Sequence, residues 1–195
     1  MQKRSNRING LILAGGSSSR MGKDKGLIDY HGMPQREFLH ALLGKFCHTV
    51  YLSCKSAENI PASLNPLPDG FSIASPLNGI LTAFQKDATV SWLTVPVDMP
   101  FITQAVLEYL VAMSDPARMA TCFADCGGKD PEPLLALWEP SAALPLQEFY
   151  RSGNLSPKKF LMENNIKRLV PPTQNLHANM NTPSDLDNFL SKGNP

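Results

Sequence analysis

The chain is short of most features that mark the commoner protein classes. No apolar run approaches the roughly 20 residues needed to span a bilayer. The opening residues Met1-Gln2-Lys3-Arg4 lead into no secretory hydrophobic region, so a cytoplasmic location is expected. Neither sign of charge is in excess: 18 Lys and Arg stand against 17 Asp and Glu, a net charge of +1. Whole-protein attraction to nucleic acid or to an anionic membrane is thereby excluded, and an anionic ligand must be caught by local groups. The 4 cysteines, Cys47, Cys54, Cys122 and Cys126, form no paired Cys-x-x-Cys knuckles, which argues against a zinc site. Cys47 and Cys54 border apolar segments and read as small buried hydrophobes. Cys122 and Cys126 could meet across a turn, but a reducing compartment disfavours their bonding. There is no internal repeat and no linker-like stretch. A length of 195 residues with 43% hydrophobic and 18% charged residues suits one globular domain over residues 1–195.

What is present is concentrated in one segment, LILAGGSSSRMGKDK, from Leu11 to Lys25. Four apolar residues run into Gly15 and Gly16, whose missing side chains let a ligand approach the backbone. Successive N–H groups in such a loop form an anion-binding concavity. Arg20, Lys23 and Lys25 add cations, and Arg can grip phosphate in a forked geometry. The segment therefore reads as a polyphosphate cradle at a strand end. A plain Gly/Ser turn with solvated charges is the competing reading. A P-loop is excluded because Gly22-Lys23 is followed by Asp24, and the Gly-x-Gly-x-x-Gly pattern is absent.

Along the chain, strand and helix patterns alternate. Ile8–Leu13, Val50–Ser53, Trp92–Val97, Met119–Phe123 and Leu134–Trp138 read as strands, with a weak strand near Phe71–Ile73. Helical spacing marks Arg36–Phe46, Gly79–Lys86, a helix capped by Thr103, Ser141–Arg151, Ser156–Glu163 and a last helix from Thr182 through Leu190. Alternation implies an α/β chain with a mostly parallel sheet covered on both faces. Ligands in such sheets lie beyond the carboxyl ends of the strands, and both the Gly15 loop and Asp98 follow strands.

Val97-Asp98-Met99-Pro100 puts a carboxylate at a strand end, locked by proline. This suits either a Mg²⁺ ligand or a cap for the turn into the helix at Thr103. Asn179-Met180-Asn181-Thr182-Pro183 offers weak, neutral metal ligands; the competing reading is a helix-capping turn, a job that Thr182 already does. Asp69-Gly70 is by itself an ordinary turn signal. Pro131-Glu132-Pro133 reads as a rigid loop. His31, His40, His48 and His177 have no metal or nucleophile partner by spacing and read as surface or capping residues. Lys158-Lys159 and Lys167-Arg168 read as solvated faces, with an anionic phosphate as the alternative partner.

The Gly-rich segment resembles the nucleotidyltransferase signature Leu-Ala-Gly-Gly-x-Ser-x-Arg-Met-Gly-x-Asp-Lys. Leu13, Ala14, Gly15, Gly16, Ser18, Arg20, Met21, Gly22, Asp24 and Lys25 match it, and Gly32 and Pro34 continue the match. Within that class it is most similar to the molybdenum cofactor guanylyltransferases, the MobA-like proteins. Ala14-Gly15-Gly16 stands where cytidylyltransferases carry Ala-Ala-Gly. Val97-Asp98-Met99-Pro100 resembles the Cys-Asp-x-Pro motif with Val for Cys. Ser75-Pro76-Leu77-Asn78-Gly79 resembles Gly-Pro-Leu-x-Gly with Ser for Gly, and Asn179–Thr182 resembles Asn-x-Asn-Thr-Pro.

The resemblance implies a three-layer, Rossmann-like nucleotidyltransferase fold. It implies transfer of GMP from GTP to the phosphate of molybdopterin, with loss of pyrophosphate. Arg20, Lys25 and Asp98 would be catalytic. Leu13, Ala14, Gly15, Gly16, Lys25, Ser53, Asp69 and Asp98 would bind the nucleotide, Asp69 by accepting from guanine. Asp98 and Asn181 would hold Mg²⁺. Partners would be GTP, molybdopterin or the molybdenum cofactor as acceptor, and molybdoenzymes or cofactor-delivery proteins, with no nucleic acid and no membrane. Cytidylyl transfer, a sugar-phosphate acceptor, or a non-catalytic cofactor-binding protein of this fold are the alternatives. The retention of Arg20, Lys25 and Asp98 speaks against the last.

Overall fold

The computed structural model describes residues 7–14, 25–125, 128–173 and 176. Its organising element is β1 (Ile8–Leu13), buried at every position. Ile8 and Ile12 face one core and Leu11 and Leu13 the other. A strand apolar on both faces needs a layer on each side. The remaining strands are β2 (Val50–Cys54), β3 (Pro66–Pro68), β4 (Ser91–Pro96), β5 (Ala120–Ala124), β6 (Pro131–Trp138) and β7 (Ile166–Leu169). Together they form one sheet of order β3-β2-β1-β4-β6-β5-β7. Among the described strands only β6 runs antiparallel to its neighbours, so the mostly parallel sheet expected from the alternation is present.

The covering helices are α1 (Gln35–Leu43), α2 (Leu77–Lys86), α3 (Gln104–Ala112), α4 (Ala143–Arg151) and α5 (Pro157–Glu163). On one face Leu39 and Leu43 of α1 and Leu107 and Leu110 of α3 pack on Ile12, Leu93 and Val95. On the other, Ile80, Leu81 and Phe84 of α2, Leu146 of α4 and Phe160 of α5 pack on Leu11, Trp92 and Trp138. Each such side chain, once fully buried, contributes about 1.5–3 kcal/mol. The caps follow the sequence. Thr103 accepts from Val106 N at 3.4 Å, and Ser156 accepts from Lys159 N at 3.2 Å with Pro157 in the first turn.

Several expectations are corrected. Phe71–Ile73 is a loop, and the strand lies earlier, at Pro66–Pro68. Two prolines are tolerated there because β3 is an edge strand. Pro131-Glu132-Pro133 is not a free loop but the start of β6, where the pairing with β5 shifts register between Cys122 and Ala124. Lys167-Arg168 lies in β7, an edge strand parallel to β5 that the charges had masked. Helix α1 starts at Gln35 and stops at Leu43, short of Phe46, and α4 begins at Ala143 behind a 3₁₀ turn at Pro140–Ala142. The expected helix from Thr182 lies outside the described residues.

Candidate active site

Strand register alone assembles a row of candidate residues. Leu13 pairs with Ser53 on one side and with Pro96 on the other, while Cys54 pairs with Pro68. The carboxyl ends of β3, β2, β1 and β4 therefore share one rim, carrying Asp69, Ser53, Leu13 with Ala14, and Val97 with Asp98. Val97 N donates to Leu13 O at 3.2 Å, and Asp69 N donates to Cys54 O at 2.8 Å. From β3 to β4 is three strand spacings, roughly 14 Å. Asp69 and Asp98 thus stand at opposite ends of a shelf with the reach of a nucleoside triphosphate.

At the β4 end, Lys25 Nζ donates to Asp98 Oδ2 at 3.0 Å, both side chains being partly exposed. This ion pair ties the end of the Gly-rich segment to the turn after β4, across 73 residues of sequence. A second tie lies beside it. The segment 29–34 closes on itself through a bridge between Asp29 and Pro34. Asp29 Oδ1 accepts from His31 N at 3.1 Å and Gly32 N at 2.6 Å. Gly32 sits at φ +79°, a backbone region that favours glycine. His31 then stacks on Phe38, ring centroids 3.8 Å apart, with Nε2 3.2 Å from Pro100 O. Burial lowers the His31 pKa, opposed by the Pro100 carbonyl and by Asp29. The neutral ring with Nε2–H donates to that carbonyl. His31 is thus partly buried and engaged through both its ring face and Nε2, more than the solvated or capping residue its isolation in sequence suggests. It fastens the Asp98 turn to the hairpin leaving the Gly-rich segment.

At the β3 end, Ser53 Oγ donates to Asp69 Oδ1 at 3.3 Å. Ser53 is buried and Asp69 partly so. Desolvation raises the Asp69 pKa, with the Ser53 hydroxyl and the Lys55 charge acting against it. A carboxylate partly desolvated in this way is a stronger acceptor than one in bulk water. The helix α2 starts directly behind Ser53. A Cβ on Gly79 would fall 2.6 Å from Ser53 Oγ and 2.8 Å from Leu13 Cδ2, so only glycine allows this approach. Ser75, where the resembling motif has Gly, accepts from Leu77 N and donates to Leu155 O at 2.6 Å, joining the α2 start to the α4–α5 loop.

Of the sequence candidates, the structure brings Leu13, Ala14, Lys25, Ser53, Asp69 and Asp98 to this rim. Gly15, Gly16, Arg20 and Asn181 lie outside the described residues. Cys54 and Cys122 are buried, and Cys47 is largely so. Burial pushes the Cys47 and Cys122 thiols up to about 12, which makes both inert. Cys126 and His177 are outside the described residues. Lys158 pairs with Asp130 at 2.6 Å and Lys159 with Asn154 Oδ1 at 2.8 Å, so these cations are engaged on the surface. His40 has its Nε2 buried without a hydrogen-bond partner among the described residues, another departure from a solvated role.

A mostly parallel sheet covered by helices on both faces, with its candidate residues along the carboxyl rim, defines an α/β protein of the doubly covered kind, and solved structures share that fold. The molybdopterin-guanine dinucleotide biosynthesis protein A of Archaeoglobus fulgidus superposes with a TM-score of 0.75 at 22% identity, over 95% of this chain and 100% of that one. The 2-C-methyl-D-erythritol 4-phosphate cytidylyltransferase of Thermus thermophilus does so at 0.67 and 13%, over 95% and 98%. At those identities the likeness is one of fold, the Rossmann-like fold of nucleotidyltransferases. In sequence, residues 10–168 match the model of the MobA-like NTP transferase domain. A molybdenum cofactor guanylyltransferase from Pseudomonas aeruginosa is 33% identical over 91% of this chain and 92% of its own. A molybdenum cofactor biosynthesis bifunctional protein from Synechocystis is 35% identical over 91% of this chain, which spans about half of that longer protein, 52%. The chain belongs to the MobA-like NTP transferase family.

Proposed function

We propose that the chain transfers the guanylyl group of GTP to the terminal phosphate of molybdopterin or its molybdenum form. An oxygen of that phosphate attacks the α-phosphorus of GTP. The bond to the bridging oxygen breaks, and pyrophosphate leaves with the electron pair. No covalent enzyme intermediate is needed, so the protein's part is alignment and charge neutralisation. One observation carries the reading: the rim holds a partly buried acceptor carboxylate, Asp69, at one end and the Lys25–Asp98 pair at the other. Guanine offers donors to a carboxylate at the first end, and the phosphates need cations at the second. The name of the Pseudomonas aeruginosa relative supports the same base and acceptor.

Mg²⁺ fits the Asp98 end by the chemistry of its donors. Magnesium takes one or two carboxylates and fills the rest of its shell with phosphate oxygens and water. A partly exposed single carboxylate is what such a shell leaves to the protein. Asp98 would hold the ion, with Asn181 as a second, neutral ligand. When bound it would neutralise charge on the reacting phosphate. Lys25, released from the carboxylate, would turn to the phosphates beside Arg20 and the Gly15 and Gly16 amides. No described helix is long and apolar enough to cross a membrane. We place the reaction in the cytoplasm, with cofactor-delivery proteins or molybdoenzymes receiving the product.

Purified protein with Mg²⁺ and molybdopterin should release pyrophosphate from GTP and not from CTP. Lys25→Ala should lower turnover by about two orders of magnitude, the scale of one lost preorganised contact, while leaving the fold intact. Release with CTP, or with a sugar phosphate in place of the pterin, overturns the proposal. Near-normal turnover of Lys25→Ala returns that lysine to a surface role.

A further inference from the structure

Residues 69–73, between β3 and α2, have no ladder of their own. Two side chains of α2 supply one. Asn78 Oδ1 accepts from Phe71 N at 3.1 Å, while its Nδ2 donates to Phe71 O at 2.5 Å and to Ile73 O at 3.1 Å. Thr82 Oγ1 accepts from Gly70 N at 2.9 Å and donates to Asn78 O at 2.8 Å, one helical turn back. Both residues are buried, Asn78 3% and Thr82 6% exposed. The amide of Asn78 thus treats Phe71 as a neighbouring strand would, taking its N–H and satisfying its carbonyl.

Asp69 sits between two such anchors. Its own N–H is bound to Cys54 O on the sheet side, and the next N–H is bound to Thr82 on the helix side. With both flanking amides fixed, the direction in which the Asp69 side chain leaves the backbone is fixed too. A buried side-chain network of this kind specifies one geometry when every member is satisfied. We propose that Asn78 and Thr82 are positioning residues for nucleobase selectivity: they set where the Asp69 carboxylate stands, and so how strictly the rim takes guanine. This rests on the reading of Asp69 as the acceptor for guanine. Removing either side chain leaves the phosphate end, Lys25 and Asp98, untouched. The effect should therefore fall on the base and not on the triphosphate.

The test uses the full chain and four substitutions, Asn78→Ala, Thr82→Val, Thr82→Ser and Asp69→Asn, singly and with Asp69→Asn added to each of the first two. GTP, ITP and pyrophosphate affinities are measured by calorimetry, and the Gly70 and Phe71 amides by hydrogen exchange. Asn78→Ala and Thr82→Val should speed exchange at those amides and weaken GTP by about tenfold or more, the scale of one charge-assisted hydrogen bond. The loss should be smaller for ITP, and pyrophosphate should hardly move. Asp69→Asn should cost less in either background than in the native chain, and Thr82→Ser, which keeps the hydroxyl, should behave as native. Should Asn78→Ala fail to fold, Thr82→Val, which deletes one hydroxyl at nearly constant shape, carries the same test. Faster exchange without loss of GTP affinity overturns the proposal, as does equal weakening of GTP and pyrophosphate. If Asp69→Asn alone binds GTP as the native chain does, the failure is of the guanine reading of Asp69 itself, a distinct result.

Discussion

Substituting Gly79 by Ala should destabilise the protein, the reverse of what a glycine inside a helix ordinarily predicts. In an open helix the change gains up to about 1 kcal/mol, because Gly lowers helix propensity by that much relative to Ala. At Gly79 the new methyl would stand 2.6 Å from Ser53 Oγ, 2.8 Å from Leu13 Cδ2 and 3.2 Å from Ser53 Cβ. Leu13 and Ser53 are 8% and 2% exposed, so neither has open space to retreat into. Overpacking of this kind costs about 1–3 kcal/mol. The net effect should be a loss of about 1 kcal/mol, or roughly 2–4 °C in Tm for a chain of this size. Gly44→Ala is the matched control. Gly44 lies at φ −59°, and its added methyl would meet only Ala41 O and His40 O at 3.4 Å. It should be neutral or slightly stabilising. Urea and thermal denaturation of both variants, and of Gly79→Ala with Ser53→Ala, complete the test. Removing the Ser53 hydroxyl takes away the shortest contact, so the cost of Gly79→Ala should fall by about 0.5 kcal/mol or more in that background. A raised Tm for Gly79→Ala, or an equal cost with and without the hydroxyl, would refute the claim that α2 is docked against β1 and β2 through this glycine.

Asp69→Asn should raise stability at neutral pH while weakening GTP. Because folding raises the Asp69 pKa, its contribution is most favourable below the ordinary carboxylate range and declines as pH rises through the folded value, so the native-minus-variant difference in Tm should turn more negative from about pH 4 upward and level off above the folded value. A difference independent of pH would remove the desolvation argument. Gln35→Met should also stabilise. Gln35 is fully buried with neither side-chain polar atom hydrogen-bonded among the described residues, and replacing an unsatisfied amide by an apolar chain of equal length recovers about 1–3 kcal/mol of desolvation, read as a higher urea midpoint at unchanged slope. A lower midpoint would show that the amide is paired.

What the sequence disclosed depended on whether the signal was local. The apolar run at Ile8–Leu13 read as a buried strand, and β1 is one, lying inside the sheet. Thr103 and Ser156-Pro157 wrote their caps in single residues, and both caps form. The two edge strands were missed for opposite reasons. Pro66–Pro68 looked unlike a strand because proline lacks an N–H, a lack that matters little on an outer edge. Ile166–Leu169 carries Lys167 and Arg168, charges that edge strands bear to discourage pairing with other chains.

The same distinction divides the site. The place of Asp98 at a strand end was legible from the alternation of strands and helices, whereas Leu13 and Ser53 were singled out by the family resemblance alone, and strand register then sets all three along one rim. The groups that fix the distances along that rim were not legible. His31 reaches Pro100 across 69 residues, and Asn78 reaches back to Phe71 and Ile73, in each case by meeting a backbone carbonyl. A carbonyl is present at every residue, so the partner leaves no mark in the sequence. The donor is equally anonymous: His31 looked like an isolated histidine, and Asn78 occupied the variable place in its motif. The rim's chemistry therefore lies in residue types that a motif records. Its geometry lies in side-chain contacts to backbone that a motif leaves free, and selectivity between one base and another is a matter of that geometry.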